Sequence, residues 1–174
     1  MRVDDKGNAL SWTTSLSAGY VKIKRLADDV ELPKKAHADD AGFDLRAHLP
    51  NAEFYEWCGG KVNGIKIRPG ETVMIGTGIA MSIPVGYFGG VFARSGLSTK
   101  EGLRPPNCVG VVDCSYRGEV MVALHNDSGE TRVVTNGQRI AQLVILPCPA
   151  VELVEVENLD NTARNNGGFG SSGI

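Results

Sequence analysis

The sequence has no run approaching the roughly 20 apolar residues that a membrane-spanning helix needs, so no membrane association is expected. It has no basic surplus: Lys plus Arg number 18 against 20 Asp plus Glu, a formal net charge of −2. Nucleic-acid binders usually carry such a surplus, so nucleic acid is not an expected partner. The four cysteines, Cys58, Cys108, Cys114 and Cys148, form no C-x-x-C pair. Neither they nor His37, His48 and His125 stand at zinc-ligand spacing. They read as free, mostly buried thiols in a reducing cytoplasm. Met1–Tyr20 lacks an apolar h-region and does not read as a secretory signal. No long helical period and no internal repeat of about 20–50 residues is present.

What is present fits one globular domain. The chain has 174 residues, of which 42% are apolar and 22% charged, close to the usual globular mix. Its 22 glycines, nearly twice the average usage of roughly 7%, favour turns and short strands. Residues 1–20 are polar and read as an N-terminal extension. Val21–Leu26 alternates apolar and charged residues, the period of a half-buried strand. Gly42–Leu45, Ile65–Ile67, Thr72–Ile75, Ile79–Ile83, Tyr87–Phe92 and Ile140–Leu146 read as further strands separated by Gly or Pro. Residues 52–62, with Phe54, Tyr55, Trp57 and Gly59-Gly60, suggest an inserted hairpin or loop. Leu97–Leu103 is the one short helix expected. Cys108–Asp113 and Val120–Leu124 flank Tyr116-Arg-Gly118 and read as a hairpin. From about Val156 the chain turns polar and then glycine-rich. Strand signals every 8–12 residues predict an all-β sandwich, jelly roll or barrel.

Several residue groups carry chemistry. Arg94-Ser95-Gly96 joins a forked cation, a hydroxyl and a backbone open to close approach, a phosphate-binding combination; an ordinary strand-end turn is the other reading. Asp113 closes Val109–Val112 and is ionised at neutral pH, so it can accept a proton from water. Alternatively it caps turn N–H groups beside a core tyrosine, Tyr116. Asp44 either helps hold a divalent cation near phosphates or is a strand-edge charge. Gln142, polar within an apolar run, either bonds backbone or faces a ligand. Arg164–Gly173 has glycines to wrap a phosphate chain and Phe169 to stack on a base, or is a plain terminal tail.

The order and spacing of these groups resemble the trimeric deoxyuridine triphosphatases. Five motifs carry the resemblance: Ala41–Ala47, Arg94–Leu97, Asn107–Val120, Gly137–Gln142 and Arg164–Gly173. The resemblance runs from about Val21 to the C-terminus. It implies a distorted jelly-roll β-barrel over residues 21–155. It also implies an arm, 156–174, exchanged in a homotrimer whose three sites each draw on all three chains. The implied reaction is dUTP plus water giving dUMP and pyrophosphate, which limits uracil in DNA and supplies dUMP for thymidylate synthesis. By position, Asp113 holds the attacking water and the sugar 3′-hydroxyl. Tyr116 packs beneath the deoxyribose and excludes a 2′-hydroxyl. Asn107, Gly110, Val111, Val112 and Met121 line the uracil and sugar pocket. Arg94, Ser95, Gly96 and Gln142 bind phosphates, and Asp44 acts on Mg²⁺ through waters. Arg164, Gly170 and Ser171 meet the γ-phosphate, and Phe169 covers the uracil.

This chain departs from the family pattern at Ala93, at Cys114-Ser115, at Arg104-Pro-Pro106 and at Asn165, without losing a proposed chemical group. Residues 52–62 look like an insertion relative to the shortest members. A dCTP deaminase, of the same fold, carries a catalytic glutamate where Ala123 stands here, and alanine cannot shuttle a proton. A regulatory binding module on the same scaffold would use Phe54, Tyr55 and Trp57 to anchor a protein partner; otherwise these rings pack on their own subunit. A carbohydrate-binding jelly roll accounts for the strands but not for the ordered Arg, Asp and tail.

Overall fold

A computed structural model describes residues 19–57 and 59–168. The N-terminal extension up to residue 18, Cys58, and the candidate residues Phe169, Gly170 and Ser171 lie outside the described residues, as does the Trp57 side chain. The strands are β1 (Lys22–Arg25), β2 (Phe43–Arg46), β3 (Glu53–Trp57), β4 (Gly60–Ile67), β5 (Thr72–Ser82), β6 (Tyr87–Phe92), β7 (Leu103–Arg104), β8 (Val109–Val112), β9 (Glu119–Asn126), β10 (Arg132–Thr135) and β11 (Arg139–Pro147). One short helix, α1 (Ser95–Glu101), follows β6. Two four-stranded sheets, ordered β1-β5-β9-β7 and β2-β11-β6-β8, and a three-stranded sheet, β10-β4-β3, hold them. Every pairing is antiparallel.

The core draws on all three sheets, with Ile67 and Val134 contributed by the smallest. Along β9, Val120, Val122, Leu124 and Asn126 are buried while Met121 is exposed and Ala123 and His125 are half-buried. That is the period-two pattern of a strand with one face on the core. Leu45 from β2, Ile75 and Ile79 from β5, Val91 from β6 and Ile140 and Leu143 from β11 join the same cluster. Each Leu or Ile so buried contributes about 1.5–3 kcal/mol.

Asn126 is the buried polar exception. Its amide donates to the carbonyls of Ile67 (2.9 Å) and Glu130 (2.8 Å) and its Oδ1 accepts from Ser128 N–H (2.9 Å) and Oγ (2.7 Å). A fully bonded amide costs little to bury and fixes the turn leaving β9.

Five expectations need correction. Thr72–Ile75 and Ile79–Ile83 belong to one strand, β5, not two. The glycines between them mark a bulge: the register against β9 shifts between Gly76↔Met121 and Ala80↔Glu119. Thr77 Oγ1 donates to the Val120 carbonyl, and Glu119 Oε1 accepts the Gly78 N–H at 2.7 Å, so the kinked backbone is bonded by side chains.

The segments around Tyr116 form no hairpin. β8 pairs with β6 and β9 with β5 and β7, so the turn carries the chain from one sheet to the other.

β1 is exposed along its length rather than half-buried. The thiols of Cys108 and Cys148 are exposed and that of Cys114 half-buried, all three free, rather than mostly buried. The helix also starts earlier than expected, with Arg94 as N-cap, and ends where Gly102 adopts φ 69°, a left-handed conformation that glycine adopts without steric cost.

Candidate functional site

The first, second and fourth motifs meet in a cavity of about 310 Å³ whose lining includes Gly42, Asp44, Arg94, Ser95, Gly96 and Gln142. Pairing explains the convergence. β11 lies between β2 and β6, so Gln142 stands opposite Asp44 on one side and Phe92 on the other. Gln142 Nε2 donates to the Ala93 carbonyl at 2.9 Å, which ties β11 to the strand end just before Arg94. Gly42 leaves room for this side chain: a Cβ there would lie 2.6 Å from Gln142 Oε1 and would make the amide shift.

Asp44 organises the charges. Its Oδ1 accepts from Arg94 Nε at 2.8 Å and its Oδ2 from Arg139 Nη1 at 3.0 Å. Its side chain is only 17% exposed, so these charge-assisted bonds hold the guanidinium of Arg94 in place. Strict alternation puts Arg139 and Gln142, three residues apart, on opposite faces of β11. The register shift between Arg139 and Ala141 reverses that parity and brings Arg139 to the cavity side. Sequence reading missed Arg139 for this reason; its place in the fourth motif was the available signal.

The donor set fits magnesium only through water. Among the described residues no group of three or more His, Cys, Asp or Glu side chains is arranged to hold a metal. Both Asp44 oxygens are occupied by guanidinium donors yet keep a lone pair each for a metal-bound water. Mg²⁺ retains several waters and leans on substrate phosphates, which matches such a partner.

The remaining described candidates lie outside the lining of that cavity. β8 is an edge strand of its sheet, so part of its backbone hydrogen-bonding capacity faces outward. Val111 is exposed on it and Val112 buried. Asn107 is exposed in the turn before it, where Cys108 N–H donates to the Pro105 carbonyl at 3.3 Å and Cys108 itself takes φ 61°. Gly110 packs on Val91 with the Asn107 amide nearby, as a Cβ there would meet them at 3.2 and 3.8 Å.

After β8, Asp113 is exposed. Its backbone carbonyl closes the turn by accepting Tyr116 N–H at 3.1 Å. Tyr116 is not a core residue: it is 46% exposed, and its hydroxyl donates to the Glu119 carbonyl at 3.0 Å. Gly118 leaves room for that hydroxyl, which a Cβ would meet at 2.5 Å. Met121 is exposed on the outer face of β9, opposite Gly76. None of Asn107, Asp113, Tyr116 or Met121 lines the cavity beside Arg94.

Arg164 is exposed in a turn of its own making. Its Nε donates to the Gly167 carbonyl and Gly167 N–H to its own carbonyl, both at 2.9 Å. Asn165 adopts φ 47°, a left-handed conformation that Asn tolerates better than most side chains. That accounts for asparagine where the family pattern often has glycine.

In the β3–β4 hairpin Phe54 is 64% exposed, with Lys61 Nζ 5.7 Å from its ring centre. Lys66 lies 4.1 Å over the Tyr55 ring. The Tyr55 hydroxyl donates to Glu53 Oε2 at 2.9 Å, and that bond, with some desolvation and the carboxylate charge, raises its pKa.

No helix among the described residues is long and apolar enough to cross a membrane. A family model described as dUTPase matches residues 62–173. A deoxyuridine 5′-triphosphate nucleotidohydrolase of Gloeobacter violaceus is 44% identical over 88% of this chain and 96% of its own length. One of Caulobacter vibrioides is 43% identical over 92% and 99%. Among solved structures, a variant of the Staphylococcus bacteriophage 80alpha dUTPase with dUpNHpp superposes with a TM-score of 0.72, at 28% identity over 89% of this chain and 99% of that one. A dUTPase from phage phi11 of S. aureus, studied for the coordination of a structural Mg(II) ion, has a TM-score of 0.67 at 26% identity over 80% and 98%.

Proposed function

This chain belongs to the dUTPase family, and on that premise we propose that it hydrolyses dUTP to dUMP and pyrophosphate as a homotrimer in the cytoplasm. The convergence of Asp44, Arg94, Ser95 and Gln142 on one cavity carries the reading. A polar recess lined by a preset guanidinium and a hydroxyl suits a triphosphate.

In the proposed mechanism Arg94, Ser95, the Gly96 backbone and Gln142 take the phosphates. Asp113 holds the attacking water and the 3′-hydroxyl. The water oxygen forms a bond to the α-phosphorus as the bond to the α–β bridging oxygen breaks, and Asp113 accepts the water's proton. The negative charge passes to the departing pyrophosphate, where the fixed donors stabilise it. Asp44 would hold Mg²⁺ through water, and the ion would supply further neutralisation of that charge.

Tyr116 offers its exposed ring to the deoxyribose and leaves no room for a 2′-hydroxyl. Asn107, Gly110, Val111, Val112 and Met121 read the uracil. Arg164, Gly170 and Ser171 meet the γ-phosphate and Phe169 closes over the base. On one chain the phosphate residues and Asp113 line different surfaces, so the complete site forms between chains, with the arm 156–174 crossing to a neighbour.

Pyrophosphate release with Mg²⁺ from dUTP, dTTP, dCTP and UTP tests the reading. Release from dUTP alone is expected; release of ammonia from dCTP would move the chain to the deaminases in spite of Ala123. A second role, binding a protein partner through residues 53–62, is favoured by the exposed Phe54. Partner capture that is saturable and vanishes on deleting 53–62 would support it.

A further inference from the structure

The approach to the third motif, Arg104-Pro105-Pro106, is tethered by a chain of polar contacts that the reaction itself does not use. β7 and β5 both pair with β9, so Arg104 and Thr72 each stand opposite His125. Thr72 Oγ1 lies 2.8 Å from His125 Nδ1, and His125 Nε2 lies 3.4 Å from Asp127 Oδ1. Arg104 grips the same carboxylate with two nitrogens, Nε on Oδ2 and Nη2 on Oδ1 at 3.2 Å.

Its remaining nitrogen, Nη1, donates to the Pro105 carbonyl at 3.2 Å. That carbonyl also accepts the Cys108 N–H. One oxygen therefore receives both the tether and the hydrogen bond that closes the turn carrying Asn107.

The anchor is rigid from the other end. Asp127 N–H donates to the Gly102 carbonyl at 2.9 Å, and the preceding residue is the fully bonded, buried Asn126. The turn that receives the tether has reason to need it. Cys108 holds φ 61°, a conformation that costs a non-glycine residue about 1–3 kcal/mol and persists only where surroundings enforce it. Proline at 105 and 106 removes two backbone N–H donors that would otherwise secure the loop.

We propose that Arg104, clamped by Asp127, is a positioning residue for base selection: it sets the Pro105–Cys108 turn so that Asn107 meets the uracil edge. This rests on the reading of Asn107 as a uracil-facing residue. The fork matters, because its fixed planar donors hold a carboxylate bidentately and a carbonyl at once, a geometry that the single nitrogen on lysine's flexible stem does not impose.

The test compares full-length Arg104→Ala, Arg104→Lys, Asp127→Asn, the Arg104→Ala/Asp127→Asn double variant and Asn107→Ala. KM and kcat for dUTP and dCTP are measured on protein whose melting temperature and oligomeric state are recorded. Asp127→Asn preserves shape and serves if Arg104→Ala does not fold. Arg104→Ala, Arg104→Lys and Asp127→Asn should each raise KM for dUTP about tenfold and lower the preference for dUTP over dCTP, with kcat within about twofold. The double variant should be no worse than either single one, as for residues acting in one network.

An unchanged KM and preference in Asp127→Asn and Arg104→Lys, with Asn107→Ala losing the preference, would overturn the tether alone. An unchanged preference in Asn107→Ala would overturn the reading of Asn107 and the inference with it. A drop in kcat or melting temperature without a change in preference would make the cluster merely structural.

Discussion

The cavity beside Arg94 and the β8 edge are built on opposite plans. Around the cavity the charged groups are paired with one another: Asp44 spans Arg94 and Arg139, and Gln142 is bonded to the Ala93 carbonyl. At the β8 side Asp113 and Tyr116 are exposed, and the turn is held by bonds to backbone carbonyls, from Tyr116 N–H, the Tyr116 hydroxyl and Arg117 Nη1, none of which uses the Asp113 carboxylate. A highly charged substrate rewards donors fixed in advance, because no reorganisation is then needed as charge develops. A carboxylate that must hold a water gains from the reverse, with its lone pairs free. The contrast teaches that the groups around the cavity are tied to one another within a chain, while the Asp113 turn keeps its carboxylate free, as the proposed sharing of a site between chains requires.

Substitutions should reproduce that contrast. Asp113→Asn should retain dUTP binding and melting temperature and lose turnover by at least ~10²-fold, since only the proton acceptor is removed; stopped-flow turnover beside ligand titration reads this, and unchanged turnover would take Asp113 out of the mechanism. Truncation before Arg164 should leave a folded trimer with little activity, checked by light scattering and the same assay; a fully active truncation would make the arm dispensable.

Asp44→Asn should behave unlike Asp113→Asn, lowering stability by about 1–3 kcal/mol as well as weakening dUTP binding, because two guanidinium groups lose their charge partner. Denaturant melts beside KM measurements decide this, and loss of activity alone would mean the pairing has no structural part. Gly118→Ala should displace the Tyr116 ring and raise KM by about fivefold, with kcat little changed. Phe54→Ala should alter neither activity nor stability beyond about 0.5 kcal/mol, since its ring projects from the hairpin.

Local signals were legible where the chain obeys its own period. The apolar runs of Val120–Leu124 and of β11 announced strands, and Arg-Ser-Gly announced the end of β6. Partner choice was not legible. A turn such as Asp113–Gly118 looks the same whether the strands beside it pair with each other or with strands of two sheets, and only long-range packing decides. The β5 bulge was hidden likewise, since glycines at 76 and 78 signal a turn as readily as a kink; Thr77 and Glu119, which bond the kink, lie far apart in sequence. Among site residues, Arg139 escaped because a register shift moved it to the cavity face, and the Arg104–Asp127 contact joins the end of β7 to the residue just after β9, with no motif linking them.

Co-expression of two inactive chains, Arg94→Ala and Asp113→Asn, tests the division most directly. If the cavity of one subunit works with the Asp113 turn of another, mixed trimers will contain sites with both groups intact, and purified mixed trimers should hydrolyse dUTP at a substantial fraction of the native rate. If each site were complete within one chain, every site would carry one of the two defects. Mixed trimers as inactive as either parent would contradict the account.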